Sequence, residues 1–382
     1  MPRTFVDRDR LARTFTELVR IDSVSREEGR ICRQLQFILG DMGIPACVDD
    51  AADKVRGETG NLIARVSGNR RVAPLLICAH MDTVEPGRGI QPVLKNGVFS
   101  SRGDTILAAD DKSGLAIIIE TLRCILERGL PCGPLEIVLT VCEEIGLLGA
   151  KHLDYDQLAA RMGYVLDTRN PNVIVTRAPA ANRLRLEIEG RAAHAGADPE
   201  NGINAIALAA RAINGIALGR IDAETTCNLG IIEGGVATNI VPARVVVHGE
   251  VRSHDTTKLE ATTQSIVETF RKAVEGYVGD DGLGRPKLRT EIREDFHGMT
   301  IPDLHPVVAM AQQAAVRLNR RLYPATSGGG SDANVFAKHG IITGILGTGC
   351  EKVHTLEERV AVDDMVRAAE LLIEILGTHA GR

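Results

Sequence analysis

Leu75-Leu76-Ile77-Cys78-Ala79-His80-Met81-Asp82 begins as an unbroken apolar run and ends on a histidine and an acid two residues apart. With its preceding proline, the stretch 74–79 has the length and composition of a buried β-strand. Metal-type side chains then follow at once. The same change recurs along the chain: Ala109-Asp110-Asp111-Lys112, Cys142-Glu143-Glu144-Ile145 at the end of the β-branched strand 135–142, Val165-Leu166-Asp167-Thr168 on the short strand 163–166, and Lys352-Val353-His354-Thr355. Open α/β sheets gather ligands outside the carboxyl ends of their strands. Five such ends are therefore expected to converge on one point.

Strand and helix signals alternate on either side of this run. Residues 61–66 read as a further strand. Residues 113–128 carry the apolar period of a buried helix led in by Lys112 and Ser113, and 144–153 read as a short helix. The alternation predicts an α/β fold with a largely parallel or mixed sheet flanked by helices.

The middle of the chain changes character. Residues 183–190 and 244–252 alternate apolar and polar side chains, with Val245, Val247, Gly249 and Val251 on one side of the second run. Helical stretches at 204–216 and 256–277 and strands at 226–232 and 287–293 complete the order βαββαβ. That is the split βαβ arrangement of a ferredoxin-like α+β domain, whose alternating strands imply an antiparallel sheet with helices on one face. Residues 179–293 are thus expected to be an insert, and 1–178 with 294–382 a discontinuous outer domain. Helices at 305–319 and 363–376 and a strand at 340–346 return to the α/β pattern.

A chain of 382 residues suits two domains at about 150 residues each. Its 44% hydrophobic and 25% charged residues describe a globular protein. The formal charge of −5 is spread among interspersed acids and bases, with no basic run, which argues against nucleic acid as a partner. Absence of Trp and only four Tyr leave no platform for stacking bases. No apolar run is long enough for a bilayer, and residues 1–22 mix charges with Phe and Leu at helical spacing, unlike a secretory signal. The eight cysteines form no CxxC pair, and several sit in apolar strands. They read as buried thiols in a reducing compartment, so a cytoplasmic location is expected.

Taken singly, each polar segment has an ordinary explanation. A histidine after a strand is usually a satisfied loop residue, Asp110-Asp111 suits a helix start, Glu143-Glu144 a solvated first turn, and Asp167 a turn. Jointly they are harder to dismiss, because acids beside buried strands are costly without a partner. Two histidines with several carboxylates form a mixed N/O donor set, which suits Zn²⁺, Mn²⁺ or Co²⁺ better than copper or calcium.

With these segments in place, almost the whole chain resembles the M20 family of metallopeptidases, in its peptidase T-like branch. The resemblance rests on the order and spacing of residues 79–84, 109–114 and 143–150, of Ala193-His194-Ala195-Gly196, of residues 201–206 and 235–242, of Gly329-Gly330-Ser331-Asp332-Ala333-Asn334, and of His354-Thr355. It implies a catalytic outer domain holding two divalent ions and an inserted lid and dimerisation domain, hence a homodimer. His80, Asp110 and Asp167 would hold one ion. Asp110 would bridge to a second, completed by Glu144 and His354. Glu143 would be the general base, and Asp82 would orient His80, a role consistent with a carboxylate fixing a ligand imidazole. The residues alone do not say which of Glu143 and Glu144 binds metal; the resemblance does. His194 would stabilise the oxyanion, from the partner subunit in dimeric members, where its ordinary reading is a loop residue. Arg252 and Asn239 would contact substrate.

The implied activity is hydrolysis of short peptides, as an aminopeptidase on tripeptides or similar substrates. An N-acyl amino acid amidohydrolase or a carboxypeptidase would share the same metal site. A metal-dependent binding protein is the non-enzymatic alternative, disfavoured because all seven ligand and catalytic positions carry competent side chains. The stretch from Asp82 to Asp110, which helps shape the pocket, is shorter than expected of a tripeptidase.

Overall fold

The computed structural model describes residues 5–279 and 284–381. In chain order the helices are α1 (Arg8–Val19), α2 (Gly29–Asp41), α3 (Ala51–Val55), α4 (Ala109–Arg128), α5 (Leu148–Lys151), α6 (Ala205–Asn214), α7 (Thr256–Glu275), α8 (Pro306–Arg317), α9 (Asp332–Lys338) and α10 (Val362–His379). The strands are β1 (Ala46–Val48), β2 (Leu62–Val66), β3 (Leu75–His80), β4 (Pro92–Lys95), β5 (Val98–Ser101), β6 (Leu135–Thr140), β7 (Met162–Thr168), β8 (Val173–Ala178), β9 (Ala180–Glu189), β10 (Gly219–Arg220), β11 (Thr225–Gly234), β12 (Arg244–Ser253), β13 (Lys287–Phe296), β14 (Met299–Thr300), β15 (Tyr323–Thr326), β16 (Ile342–Gly347), β17 (Cys350–Glu351) and β18 (Arg359–Ala361). They fall into two compact units, one of Met1–Arg177, Met299–Ser327 and Ser331–Arg382, the other of Ala178–Gly298 with Gly328–Gly330.

The first unit is a mixed sheet flanked by helices, with strand order β1-β2-β6-β3-β7-β16-β8-β14 and β15 beside β8. Its centre, β6-β3-β7-β16, is parallel, while β1, β2 and the β8 side bring in antiparallel pairing. Every residue of β3 and β6 is buried, as strands covered on both faces are, and the buried Glu136 of β6 accepts the Ala159 and Ala160 N–H groups. A small sheet, β17-β18-β5-β4, adjoins this framework.

In the second unit, strands β10-β11-β12-β9-β13 form an antiparallel sheet. The order β9-α6-β11-β12-α7-β13 is the ferredoxin-like βαββαβ. One face of the sheet supplies Leu184, Leu186, Ile188, Val245, Val247 and Val251 to a core shared with Leu208 of α6 and Phe270 of α7. Strand β13 runs to Phe296, beyond the stretch 287–293 read as a strand.

Two local expectations differ. Residues 144–153 contain only the one-turn helix α5, because positive φ angles at Cys142, Gly146 and Leu147 fold 142–147 into a turn. Helix α4 begins at Ala109, but Asp110 and Asp111 have non-helical φ/ψ and a cis peptide between them, so its first turn is irregular.

Candidate active site

β3 ends on His80, Asp167 lies near the end of β7, and Glu143 and Glu144 follow β6. The strands carrying them are parallel neighbours, so their carboxyl ends share one edge of the sheet. Asp110 comes from the irregular start of α4, and His354 from the loop after β17. Ligand atoms of His80, Asp110 and Glu144 all lie within 4.8 Å of one another. His80 Nε2 is 3.2 Å from Asp110 Oδ1. His354 Nε2 is 2.9 Å from Glu144 Oε1 and 3.6 Å from Asp110 Oδ2. Asp110 therefore stands between the two imidazoles.

The other ring nitrogen of His80 is occupied. Nδ1 lies 3.0 Å from the Asp82 backbone carbonyl and 3.4 Å from Asp82 Oδ1. Main chain rather than carboxylate is thus its nearer partner. The Asp82 carboxylate has further work: Oδ1 accepts the Glu143 N–H at 2.9 Å, and Oδ2 accepts the Glu144 N–H at 3.2 Å and the Ser25 hydroxyl at 2.6 Å. Asp82 fixes the turn that presents both glutamates.

Charge crowding marks the whole cluster. Burial, then the charge of Asp110, pushes the Asp167 carboxyl up to about 8. Glu143 is raised well above the usual carboxylate range by burial and by Asp167, and Glu144 is raised by burial. For Asp110 burial acts upward, but the hydrogen bond and charge of His80 outweigh it and the carboxyl is lowered. Burial would lower His80, yet its bonds to Asp110 and Asp82 hold it well above the ordinary histidine value. The hydrogen bond to Glu144 lifts His354 to about 9.

Further buried acids surround these groups, and the sequence did not single them out as site residues. Asp111 Oδ2 accepts the His80 N–H at 3.2 Å. Glu358 accepts the N–H groups of Leu107, Ala108 and Asp110. Glu28 Oε1 accepts the Cys142 N–H at 3.0 Å. Asp332 Oδ2 accepts the Thr140 hydroxyl at 2.5 Å, and burial raises its carboxyl to about 6. Only Asp332 and Asp111 fell inside motifs already quoted; Glu28 and Glu358 look like surface acids on paper.

The remaining sequence-derived residues lie in the second unit. His194 is exposed, and its Nδ1 accepts the N–H groups of Gly196 and Ala197 at 3.1 and 3.0 Å. Two accepted bonds place the proton of the neutral ring on Nε2. Asn239 sits in an exposed turn, its carbonyl accepting from Ala195 N. Arg252 forms a two-point pair with Glu250, both contacts at 3.0 Å, and its guanidinium lies 6.0 Å from the Phe296 ring centroid.

Residues 180–278 match the peptidase dimerisation domain of the M20 type, and residues 61–182 match peptidase family M28. Over 373 residues the chain is 41% identical to protein YqjE of Bacillus subtilis, covering 97% of this chain and 98% of that one. It resembles the crystal structure of aminopeptidase PepT from Bacillus cereus at 39% identity and TM-score 0.86, covering 99% and 100% of the two chains. A tripeptidase from Staphylococcus aureus gives 36% identity and TM-score 0.90 over 99% and 100%. Fold and site together define a hydrolase with a cluster able to hold metal. The chain belongs to the M20 family of peptidases. Among the described residues, no helix is long and apolar enough to cross a membrane.

Proposed function

We propose that the chain is a cytoplasmic aminopeptidase that removes residues from short peptides such as tripeptides, using two divalent ions held at the edge of the parallel strands. The observation that carries this reading is the cluster of His80, Asp110, Glu144 and His354, with Asp110 facing both imidazoles. Similarity over nearly full length to an aminopeptidase and a tripeptidase supports the substrate class despite the short Asp82–Asp110 stretch.

The donor set fits such ions. Metal bonds of roughly 2 Å put two ligands of one ion at most ~4 Å apart, and His80–Asp110 at 3.2 Å, His354–Glu144 at 2.9 Å and His354–Asp110 at 3.6 Å lie within that limit. Positive charge among Asp110, Glu143, Glu144 and Asp167 would offset the burial, and then the mutual repulsion, that raise three of them. In this reading His80, Asp110 and Asp167 hold one ion, and Asp110, Glu144 and His354 the other. Two nitrogens with carboxylates favour Zn²⁺, with Mn²⁺ or Co²⁺ as substitutes. When bound, the ions supply Lewis acidity to water and to the scissile carbonyl.

The protein's own groups do the rest. Glu143, buried and anchored through its N–H to Asp82, takes a proton from the attacking water and delivers it to the leaving amine. His80 keeps its Nε2 toward the ions because Nδ1 is held by Asp82. His194 offers Nε2–H to the oxyanion, Arg252 binds the substrate carboxylate, and Asn239 binds its backbone. Residues 179–293 act as the lid and dimerisation domain of a homodimer. Strand β11 supports this: beyond Cys227 it pairs only with β12 among the described residues, and Ile231 and Ile232 are more than half exposed.

Free tripeptides, N-blocked dipeptides and N-acyl amino acids, assayed side by side, test the substrate class. Cleavage of free tripeptides is expected; turnover only of blocked substrates would replace the aminopeptidase reading with an amidohydrolase or carboxypeptidase one. Glu143→Ala should abolish hydrolysis, by at least about 10²-fold in kcat, while metal content measured on the purified protein stays at the wild-type level. Unchanged activity would reject Glu143 as the base.

A further inference from the structure

Helix α4 starts without a cap of its own. Ala108, at its N-cap, has φ 56° and a methyl side chain that can accept no hydrogen bond from the first turn, and Asp110 is non-helical at φ −84°, ψ 104°. Leu107 and Ala108 are fully buried. Their N–H groups, with that of Asp110, would be costly orphans there. All three are taken by one carboxylate from some 250 residues further along. Glu358 Oε2 accepts from Leu107 and Ala108 at 2.8 Å each, and Oε1 accepts from Asp110 at 3.0 Å. Glu358 is itself 1% exposed. Its backbone N–H closes a turn onto the Thr355 carbonyl at 3.1 Å, so the same residue ends the loop that carries His354.

We propose that Glu358 is the positioning residue of the metal centre, fixing the Asp110 carboxylate against His80 and tying it to the loop of His354. This rests on Asp110 and His354 being metal ligands. A bridging carboxylate must be held within about 0.5 Å of its working position. Regular helical bonding cannot do that at Asp110, since its backbone is not helical. The Glu358 carboxylate does it by three charge-assisted bonds. It is not itself assigned as a ligand, and acts through the backbone of Asp110 and the loop of His354.

Glu358→Gln separates this role from a purely structural one. An amide can keep its oxygen on the Leu107 and Ala108 N–H pair and then turns an N–H against Asp110, so the bond lost is the one at the ligand. Full-length wild type, Glu358→Gln and Asp110→Asn are stripped of metal and titrated with Zn²⁺ alone against a competing chelator, and melting temperatures are recorded with and without Zn²⁺. For Glu358→Gln the expectation is 10- to 100-fold weaker Zn²⁺ binding, of the order seen when outer partners of metal ligands are removed. Its metal-free melting temperature falls by no more than a few degrees, the cost of the one lost hydrogen bond, the rise on adding Zn²⁺ shrinks, and kcat recovers at saturating Zn²⁺. Wild-type Zn²⁺ affinity in Glu358→Gln, or a variant that does not fold, would overturn the proposal and leave Glu358 a role in the fold alone. Wild-type affinity in Asp110→Asn would instead overturn the ligand reading beneath it.

Discussion

His80 commits both ring nitrogens, and the partner of each decides what a neighbouring mutation does. Because Nδ1 lies closer to the Asp82 carbonyl than to its carboxylate, truncating the Asp82 side chain leaves an acceptor in place for the ring. What it removes is the grip on the Glu143 and Glu144 N–H groups and on Ser25. Asp82→Ala is therefore expected to lower kcat by about 10- to 100-fold with most of the bound metal retained. Metal analysis alongside steady-state kinetics checks this; equal loss of metal and activity would return the orienting role to the carboxylate. Residues such as His80 and Asp167 were readable from sequence because they interrupt apolar strands, where a polar side chain needs a reason. Glu358 and Glu28 were not. The contacts that tie them to the site are to backbone N–H groups more than a hundred residues away, and nothing in their own neighbourhood distinguishes them from solvated acids.

Elements fix the site by how closely the strands that bear it approach. β7 packs beside β3 in register Leu76↔Gly163, and a Cβ on Gly163 would come within 1.9 Å of the Leu76 carbonyl oxygen. That oxygen is backbone in a fully buried strand, so it cannot swing away. Gly163→Ala should destabilise the first unit by about 3 kcal/mol, read as a lower denaturant midpoint, with zinc affinity falling because β3 and β7 carry His80 and Asp167. An unfolding free energy within about 0.5 kcal/mol of wild type, the range of an ordinary surface change, would show that the strands can separate at no cost. Long periodic elements were legible: α7 and β12 end within two residues of the stretches read from their apolar pattern, and β9 is found though it begins three residues before 183, because each buries one face against a single core. The sheet β17-β18-β5-β4 was not, since its strands are two to four residues long and mostly solvent-facing, with too few side chains to set a period. Within the turn at 142–147, residues 144–147 read as helix because the paired acids resemble a helix start, whereas buried carboxylates hold the turn open.

At the scale of the molecule, the proposed catalytic groups are divided between the two units: ligands and base in one, His194, Asn239 and Arg252 in the other. The proposed homodimer allows His194 to serve either its own chain or its partner's. His194 is built to donate, since Gly196 and Ala197 occupy Nδ1 and leave the proton on Nε2. Its turn is exposed and bridges only to Ile240 of the same unit among the described residues. If it acts across the dimer, a His194→Ala chain and a Glu143→Ala chain are each inactive alone but complementary together. A heterodimer then has one centre with both residues intact and one with neither. Random pairing at equal amounts makes half the dimers mixed, so activity should return to about one quarter of wild type. Co-expression of the two variants, with tandem affinity tags to isolate the mixed species, measures it directly. Isolated heterodimers should reach about half the wild-type rate per dimer by the same counting. Heterodimers as inactive as their parents would place His194 in service of its own chain, and a wild-type protein that sediments as a monomer would remove the question by removing the partner.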